Sequence, residues 1–176
     1  QALRAILGIH VEQKGSAVHS KYLRFDFSHF SKVTEQQLSE ITHYVNARIE
    51  AHMPLEENRN VPIAEAKASG AMALFGEKYG DTVRSIRFGE SIELCGGTHV
   101  KNTADIWQFK IKSETAVASG IRRIEAITAD AVKDYYQHTD QTLQQILAQL
   151  QIHTDPLAAI TKLQEEHQQL KVAFAV

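Results

Sequence analysis

Thr82-Val83-Arg84-Ser85-Ile86-Arg87-Phe88-Gly89-Glu90-Ser91-Ile92-Glu93-Leu94-Cys95-Gly96-Gly97-Thr98-His99-Val100 is the stretch on which the reading turns. Residues 82–88 and 91–94 have the β-branched and aromatic content of short strands, separated by a turn at Gly89. Gly96-Gly97 then ends the extended run, because paired glycines carry no side chain to pack and disfavour regular structure. Across that break lie Cys95, the only cysteine of the chain, and His99. Both residue types bind zinc, and either can act as nucleophile or base. With two glycines between them they cannot share one helical face. They converge instead across a turn where backbone without Cβ lets a substrate come close.

Further strands are expected at 107–112 and 121–128, with turns at Asn102 and Gly120. Strands clustered after helices predict an α+β fold with a largely antiparallel sheet and packed helices. Upstream, Leu23, Phe25 and Phe27 alternate with Arg24, Asp26 and Ser28, the pattern of a half-buried strand. Residues 1–7 read as the tail of a helix closed by Gly8. Thr34 opens a helix running to about residue 51, with Gln37 completing a capping box and Leu38, Ile41, Val45 and Ile49 forming its apolar stripe. Residues 60–79 are alanine-rich and predict a strand fragment and one or two helical turns around Gly70.

After Asp130 the character changes. Residues 130–152 are helix-like, and Asp155-Pro156 opens a last helix. There Ile160, Leu163, His167, Leu170 and Phe174 follow coiled-coil-like spacing. The expected organisation is therefore a mixed domain over 1–129 and a helical segment over 130–176. The 176 residues are 43% hydrophobic and 23% charged, enough to bury a core. No apolar run reaches the ~20 residues of a bilayer span. No signal-peptide pattern opens the chain, and a lone cysteine forms no internal disulfide, both consistent with a cytoplasmic setting. Net charge is −2, but residues 1–129 carry +1 and 130–176 carry −3, which directs any anionic partner to the first part.

The residue types leave several chemistries open. One cysteine excludes a four-cysteine zinc site, while a Cys-His hydrolase needs an orienting group and an oxyanion hole that spacing does not reveal. Neither phosphate-binding glycine motif occurs, so nothing marks an ATP or dinucleotide site. Lys110, Lys112, Arg122 and Arg123 lie on adjacent expected strands beside Trp107 and Phe109. Such a strip suits an RNA backbone, or equally a solvated sheet edge.

Five blocks together resemble the editing region of bacterial alanyl-tRNA synthetases. They are Leu3-Arg4…Leu7-Gly8…His10-Val11-Glu12-Gln13-Lys14-Gly15-Ser16 with Leu23-Arg24-Phe25-Asp26-Phe27-Ser28-His29; Glu65-Ala66-Lys67 with the run from Gly70 to Asp81; Glu93 to Val100; and Ala118-Ser119-Gly120-Ile121-Arg122-Arg123-Ile124-Glu125-Ala126. The match runs in order over about 1–129, and 130–176 resemble the start of the same family's C-terminal helical region. The fold implied is that of the threonyl/alanyl-tRNA synthetase second additional domain.

The resemblance further implies one zinc held by Cys95, His99 and a His-x3-His pair that would lie immediately before Gln1. It implies Gln13 as a pocket residue in editing, and Thr98 is added here as a neighbouring hydroxyl. The activity implied is hydrolysis of seryl- or glycyl-tRNA(Ala), within an enzyme that attaches alanine to tRNA(Ala) with ATP. The implied partners are the tRNA(Ala) acceptor end and the rest of the synthetase chain, with no membrane. An alanine pocket rejects glycine poorly, since one missing methyl is worth only ~1–3 kcal/mol, and a second site would correct that. The alternatives are a metal-ordered RNA-binding module without hydrolysis, a free-standing or threonyl-type editing protein, and a Cys95 thiol hydrolase.

Overall fold

The computed structural model describes residues 1–71, 80–152 and 155–174. The resemblance block over 72–79, the end of the alanine-rich stretch, and His153 lie outside the described residues. The chain divides into two compact units, Gln1–Val132 and Lys133–Val176.

In the first unit, α1 (Ala2–Leu7) ends on Gly8, whose φ of 117° suits a glycine. Two strands follow, β1 (Gln13–Val18) and β2 (Leu23–Ser28). Then α2 (Glu35–Glu50) starts on Thr34, where the expected capping box forms: the Thr34 hydroxyl accepts from Gln37 N–H and the Gln37 amide accepts from Thr34 N–H. The helix stops at Ala51, and His52 leaves it in the left-handed region at φ 51°. The next elements are β3 (Glu56–Pro62), α3 (Ile63–Ala68), β4 (Thr82–Phe88) and β5 (Ser91–Leu94). A 3₁₀ turn (Thr103–Ile106) leads into β6 (Phe109–Ala118) and β7 (Ile121–Thr128).

Among the described residues the strands form two antiparallel sheets, one of four strands in the order β1-β2-β7-β6 and one of three in the order β3-β4-β5. The fold is α+β, as the sequence predicts, with the strands shared between two sheets. The larger core joins Phe27, Ile124 and Ala126 of the four-stranded sheet to Val33 and Ile41, with Ala2 and Val11. Each fully buried Val, Ile or Phe there contributes ~1.5–3 kcal/mol. A smaller core gathers Val61, Ala66, Val83 and Leu94 around the three-stranded sheet.

The basic strip expected from sequence is not a row of available cations. Arg122 is paired with Glu114, whose side chain is almost fully buried. Arg123 makes a bidentate pair with Asp26 at 2.6 and 2.8 Å. Both guanidiniums knit the four-stranded sheet together, because carboxylates from neighbouring strands face them.

α4 (Asp130–Gln149) begins in the first unit, where Val132 is fully buried. In the second unit, α5 (Pro156–Phe174) is capped by the Asp155 carboxylate, which accepts from the N–H groups of Leu157 and Ala158. α5 buries none of its residues, and Leu163, Leu170 and Phe174 of its apolar series are exposed. No helix among the described residues is long and apolar enough to cross a membrane.

Candidate functional site

Cys95 follows directly on β5, and its N–H still donates to the Arg84 carbonyl of β4 at 3.2 Å. The chain then leaves the sheet. Arg84, whose own strand holds it still, replaces the lost ladder: its Nη1 donates to the carbonyls of Cys95, at 2.9 Å, and Gly97. Its Nε is held by the Glu57 carboxylate of β3 at 2.7 Å. A β3 carboxylate, a β4 guanidinium and the loop after β5 thus form one connected chain of charge-assisted hydrogen bonds. Inside the loop the Cys95 sulfur accepts from Gly97 N–H at 3.4 Å. A Cβ at Gly96 would meet nothing within 4 Å, so open space flanks the turn.

The far end of the loop is fixed separately. Asn102 caps the 3₁₀ turn and donates through its amide to the His52 carbonyl at 2.8 Å. The buried Thr103 hydroxyl donates to the Arg48 carbonyl at 2.8 Å and accepts from Met53 N–H at 2.9 Å. Leu55 N–H also reaches the Lys101 carbonyl at 2.8 Å. Thr98 and His99 therefore sit between two anchored points, one on the three-stranded sheet and one at the end of α2.

A cavity of about 740 Å³ opens on Thr98 and His99. Its lining is mainly apolar, with Phe25 and Ile124 from the four-stranded sheet, Val45 and Ile49 from α2, and Phe88 from β4. Ser91 and Glu93 of β5 bring polar groups to it, and Gln1 and Leu3 line another side. Gly89 belongs to the same wall at φ 57°, where a Cβ would press within 2.6 Å of the Met53 sulfur. The His99 ring lies 6.3 Å from that of Phe88, tilted by 48°. Burial holds the His99 imidazole below the usual histidine range, the Arg84 charge adds to this, and Glu93 and Glu57 oppose it. A neutral imidazole is the form that can donate a lone pair to a metal or accept a proton.

Of the sequence-derived site residues, Thr98 and His99 share this cavity and Cys95 shares their loop. Gln13 does not line it. It sits half-buried on β1, donating from its amide to the Ser16 hydroxyl at 3.0 Å. His10 pairs with His29 through ring nitrogens 2.9 Å apart, separately from Cys95 and His99. Thiolate sulfur and imidazole nitrogen are a donor set suited to zinc, but no group of three or more metal-binding side chains occurs among the described residues. Cys95 and His99 are the two side chains of this loop that could hold a metal. Sequence reasoning missed Arg84, Phe88, Glu93 and Thr103. Nothing in the strand pattern separates Arg84 from Arg87, and only the pairing of β4 with β3 and β5 distinguishes them.

Residues 83–125 match the family model described as the threonyl and alanyl tRNA synthetase second additional domain. That span carries Cys95, Thr98 and His99. Among curated proteins, the alanine–tRNA ligase of Flavobacterium psychrophilum is 63% identical over 170 residues, covering 97% of this chain and 19% of the relative. That of Christiangramia forsetii is 61% identical over 171 residues, again 97% of this chain and 20% of the relative. That of Bacteroides fragilis is 54% identical over the same length and shares. The chain spans about a fifth of the length of the relatives it matches. With identity of this level over almost its whole length, the chain belongs to the family of bacterial alanine–tRNA ligases, as a segment carrying their second additional domain.

Proposed function

We propose that this segment is the editing domain of an alanine–tRNA ligase, hydrolysing the ester of tRNA(Ala) mischarged with serine or glycine. The rest of such an enzyme would attach alanine with ATP, in the cytoplasm, and the shared partner is the acceptor end of tRNA(Ala). The observation that carries the reading is the cavity beside Thr98 and His99, mainly apolar with polar groups from β5. Its volume of about 740 Å³ lies in the range of small-ligand sites, which supports a ligand of the size of an aminoacylated terminal nucleoside.

The reaction adds water to the ester carbonyl and returns the ribose oxygen with a proton, releasing free amino acid and intact tRNA. A neutral His99 can accept a proton or donate to a metal, and the Thr98 hydroxyl offers both a donor and an acceptor beside it. Gln13 enters on the family resemblance, with an amide able to read an amino or hydroxyl group. Its bond to Ser16 must open for it to do so from β1. The donor set of Cys95 and His99 supports zinc, completed by two histidines expected before Gln1. Gln1 lines the same cavity as His99, which supports a ligand pair close before it in sequence. When bound, zinc would supply Lewis acidity or fix the orientation of the aminoacyl group.

The test is deacylation of seryl-tRNA(Ala) by the chain extended upstream through the expected histidine pair. Hydrolysis is expected, with a loss of at least ~100-fold in His99→Ala, and a measurable loss in Gln13→Ala if Gln13 leaves Ser16 to meet the substrate. An extended protein that binds zinc and tRNA(Ala) yet leaves the ester intact would sink the reading in favour of a metal-ordered binding module. A covalent acyl intermediate on Cys95, with activity insensitive to chelators, would replace it with a thiol hydrolase.

A further inference from the structure

A second recess, of about 700 Å³, opens between α2 and the start of β6, on residues outside the cavity that holds His99. Ser39, Thr42, His43 and Glu50 line its helical side, and Trp107 and Gln108 the other. Trp107 is the only tryptophan of the chain, and 48% of its surface is exposed. Its backbone lies at φ 59°, ψ −63°, and Gln108 N–H donates to the Ile106 carbonyl across it at 2.7 Å. This is a γ-turn of the rare positive-φ kind, a strained conformation for a bulky aromatic residue.

The surroundings enforce that strain from both sides. Trp107 N–H donates to the Ala104 carbonyl at 2.9 Å, and Ala129 N–H to the Ile106 carbonyl at 3.1 Å. On the other side the Asn46 side chain grips both backbone groups of Phe109, accepting from its N–H at 2.8 Å and donating to its carbonyl at 3.0 Å. Asn46 acts as a pseudo-strand against the sheet edge, so the turn at Trp107 is fixed. A glycine would satisfy this backbone without strain, whereas the tryptophan adds an aromatic face beside polar groups.

We infer that this recess binds an unpaired nucleobase of RNA, with the Trp107 indole as stacking surface and His43, Glu50 and Gln108 addressing the base edge. An exposed aromatic face is the general platform for single-stranded bases. Among the described residues no lysine or arginine lines the recess, and Glu50 would repel a phosphate, so the charge favours the neutral base over the backbone. The inference rests on the reading that the segment acts on tRNA, and it gives that RNA a second point of attachment besides the ester cavity.

Because Trp107 is unique, its emission reports this recess alone. Titration of the chain with a short single-stranded RNA ending in C-C-A is expected to quench that emission saturably, whereas the same sequence in a duplex is not. Binding of the labelled RNA, followed by anisotropy, is expected to weaken ~10- to 100-fold in Trp107→Gly, the worth of one base–aromatic stack, and less in Trp107→Phe. The glycine variant is expected to keep or raise the melting temperature, since it removes the strain, so lost binding will not be lost folding.

Unchanged emission on titration, equal quenching by the duplex, or wild-type affinity in Trp107→Gly would each overturn the inference. The two readings separate in the upstream-extended chain. If it deacylates seryl-tRNA(Ala) and its Trp107→Gly variant binds RNA as tightly, the base site falls while editing stands. If it shows quenching and leaves the ester intact, editing falls while the base site stands.

Discussion

The Arg84 guanidinium donates to the carbonyl of Cys95 at 2.9 Å from the adjacent strand, so the candidate metal loop is held by an arginine that need not touch metal or substrate. Replacing Arg84 with Met removes its hydrogen bonds to Cys95, Gly97 and Glu57 while keeping most of the side-chain volume. Because Arg84 is partly exposed, solvent screens these bonds, and the expected loss of stability is ~1–3 kcal/mol by urea denaturation. Zinc affinity of the upstream-extended chain is expected to fall ~10- to 100-fold, the usual effect of losing a supporting contact around metal ligands. Unchanged metal affinity would mean the loop keeps its shape without the arginine.

The 176-residue chain by itself is expected to bind zinc weakly. Cys95 and His99 offer two ligands, and affinity depends on ligand number and on a preformed site. Equilibrium dialysis with a colorimetric zinc indicator checks this. Stoichiometric zinc that resists a competing chelator, lost in Cys95→Ser, would show that two residues suffice.

Thr103 joins the loop to the end of α2, so Thr103→Val is expected to cost more than an ordinary surface change. The substitution preserves shape but deprives Met53 N–H of its acceptor and the Arg48 carbonyl of its donor. A destabilisation of ~1–2 kcal/mol follows from leaving part-buried backbone groups unpaired. A midpoint shift in urea with unchanged slope is the expected signature. A variant as stable as the parent would mean water takes the place of the hydroxyl.

His29 gives the first unit a pH dependence. Burial, with the nearby His10 and Arg122 charges, holds His29 below its ordinary 6.5, while Glu114 opposes the shift. The unfolded chain therefore binds a proton more readily in the window below 6.5. Stability is complete above the unfolded value and is lost as pH falls through the lower folded value. The melting temperature is expected to decline on acidification below pH 6.5, and His29→Gln is expected to flatten that decline. An equal decline in the variant would assign the effect to other groups.

Much of the fold is legible in local pattern. The alternation in residues 23–28, the capping pair Thr34 and Gln37, and the limits of β4, β5 and β7 all follow from short-range physics. What escapes is structure imposed from a distance. β1 reads Gln-Lys-Gly-Ser-Ala-Val, with no apolar alternation, and becomes a strand because β2 offers it an edge. β3 exposes nearly all its side chains, burying only Val61, and β6 continues through polar residues to Ala118. The arginines at 122 and 123 look available in sequence because Asp26, which pairs with Arg123, lies far away along the chain. Cys95 and His99 are conspicuous for their residue types. The arginine, threonine and phenylalanine that give them a setting are ordinary residues made particular by strand pairing.

The double anchoring of the loop bears on how tightly a ligand can be held. Cys95 is tied to β4, and Asn102 and Thr103 are tied to the end of α2, before anything binds. Capturing a metal or an ester then has to quiet only the few residues around Thr98 and His99. Ordering a residue costs ~1–2 kcal/mol of backbone entropy, so most of that cost falls on folding and little on the encounter. Affinity for any ligand at this loop would be decided when the three-stranded sheet and the end of α2 assemble, and mutations at either anchor are expected to be felt as slower capture or faster release by a site whose own side chains are unchanged.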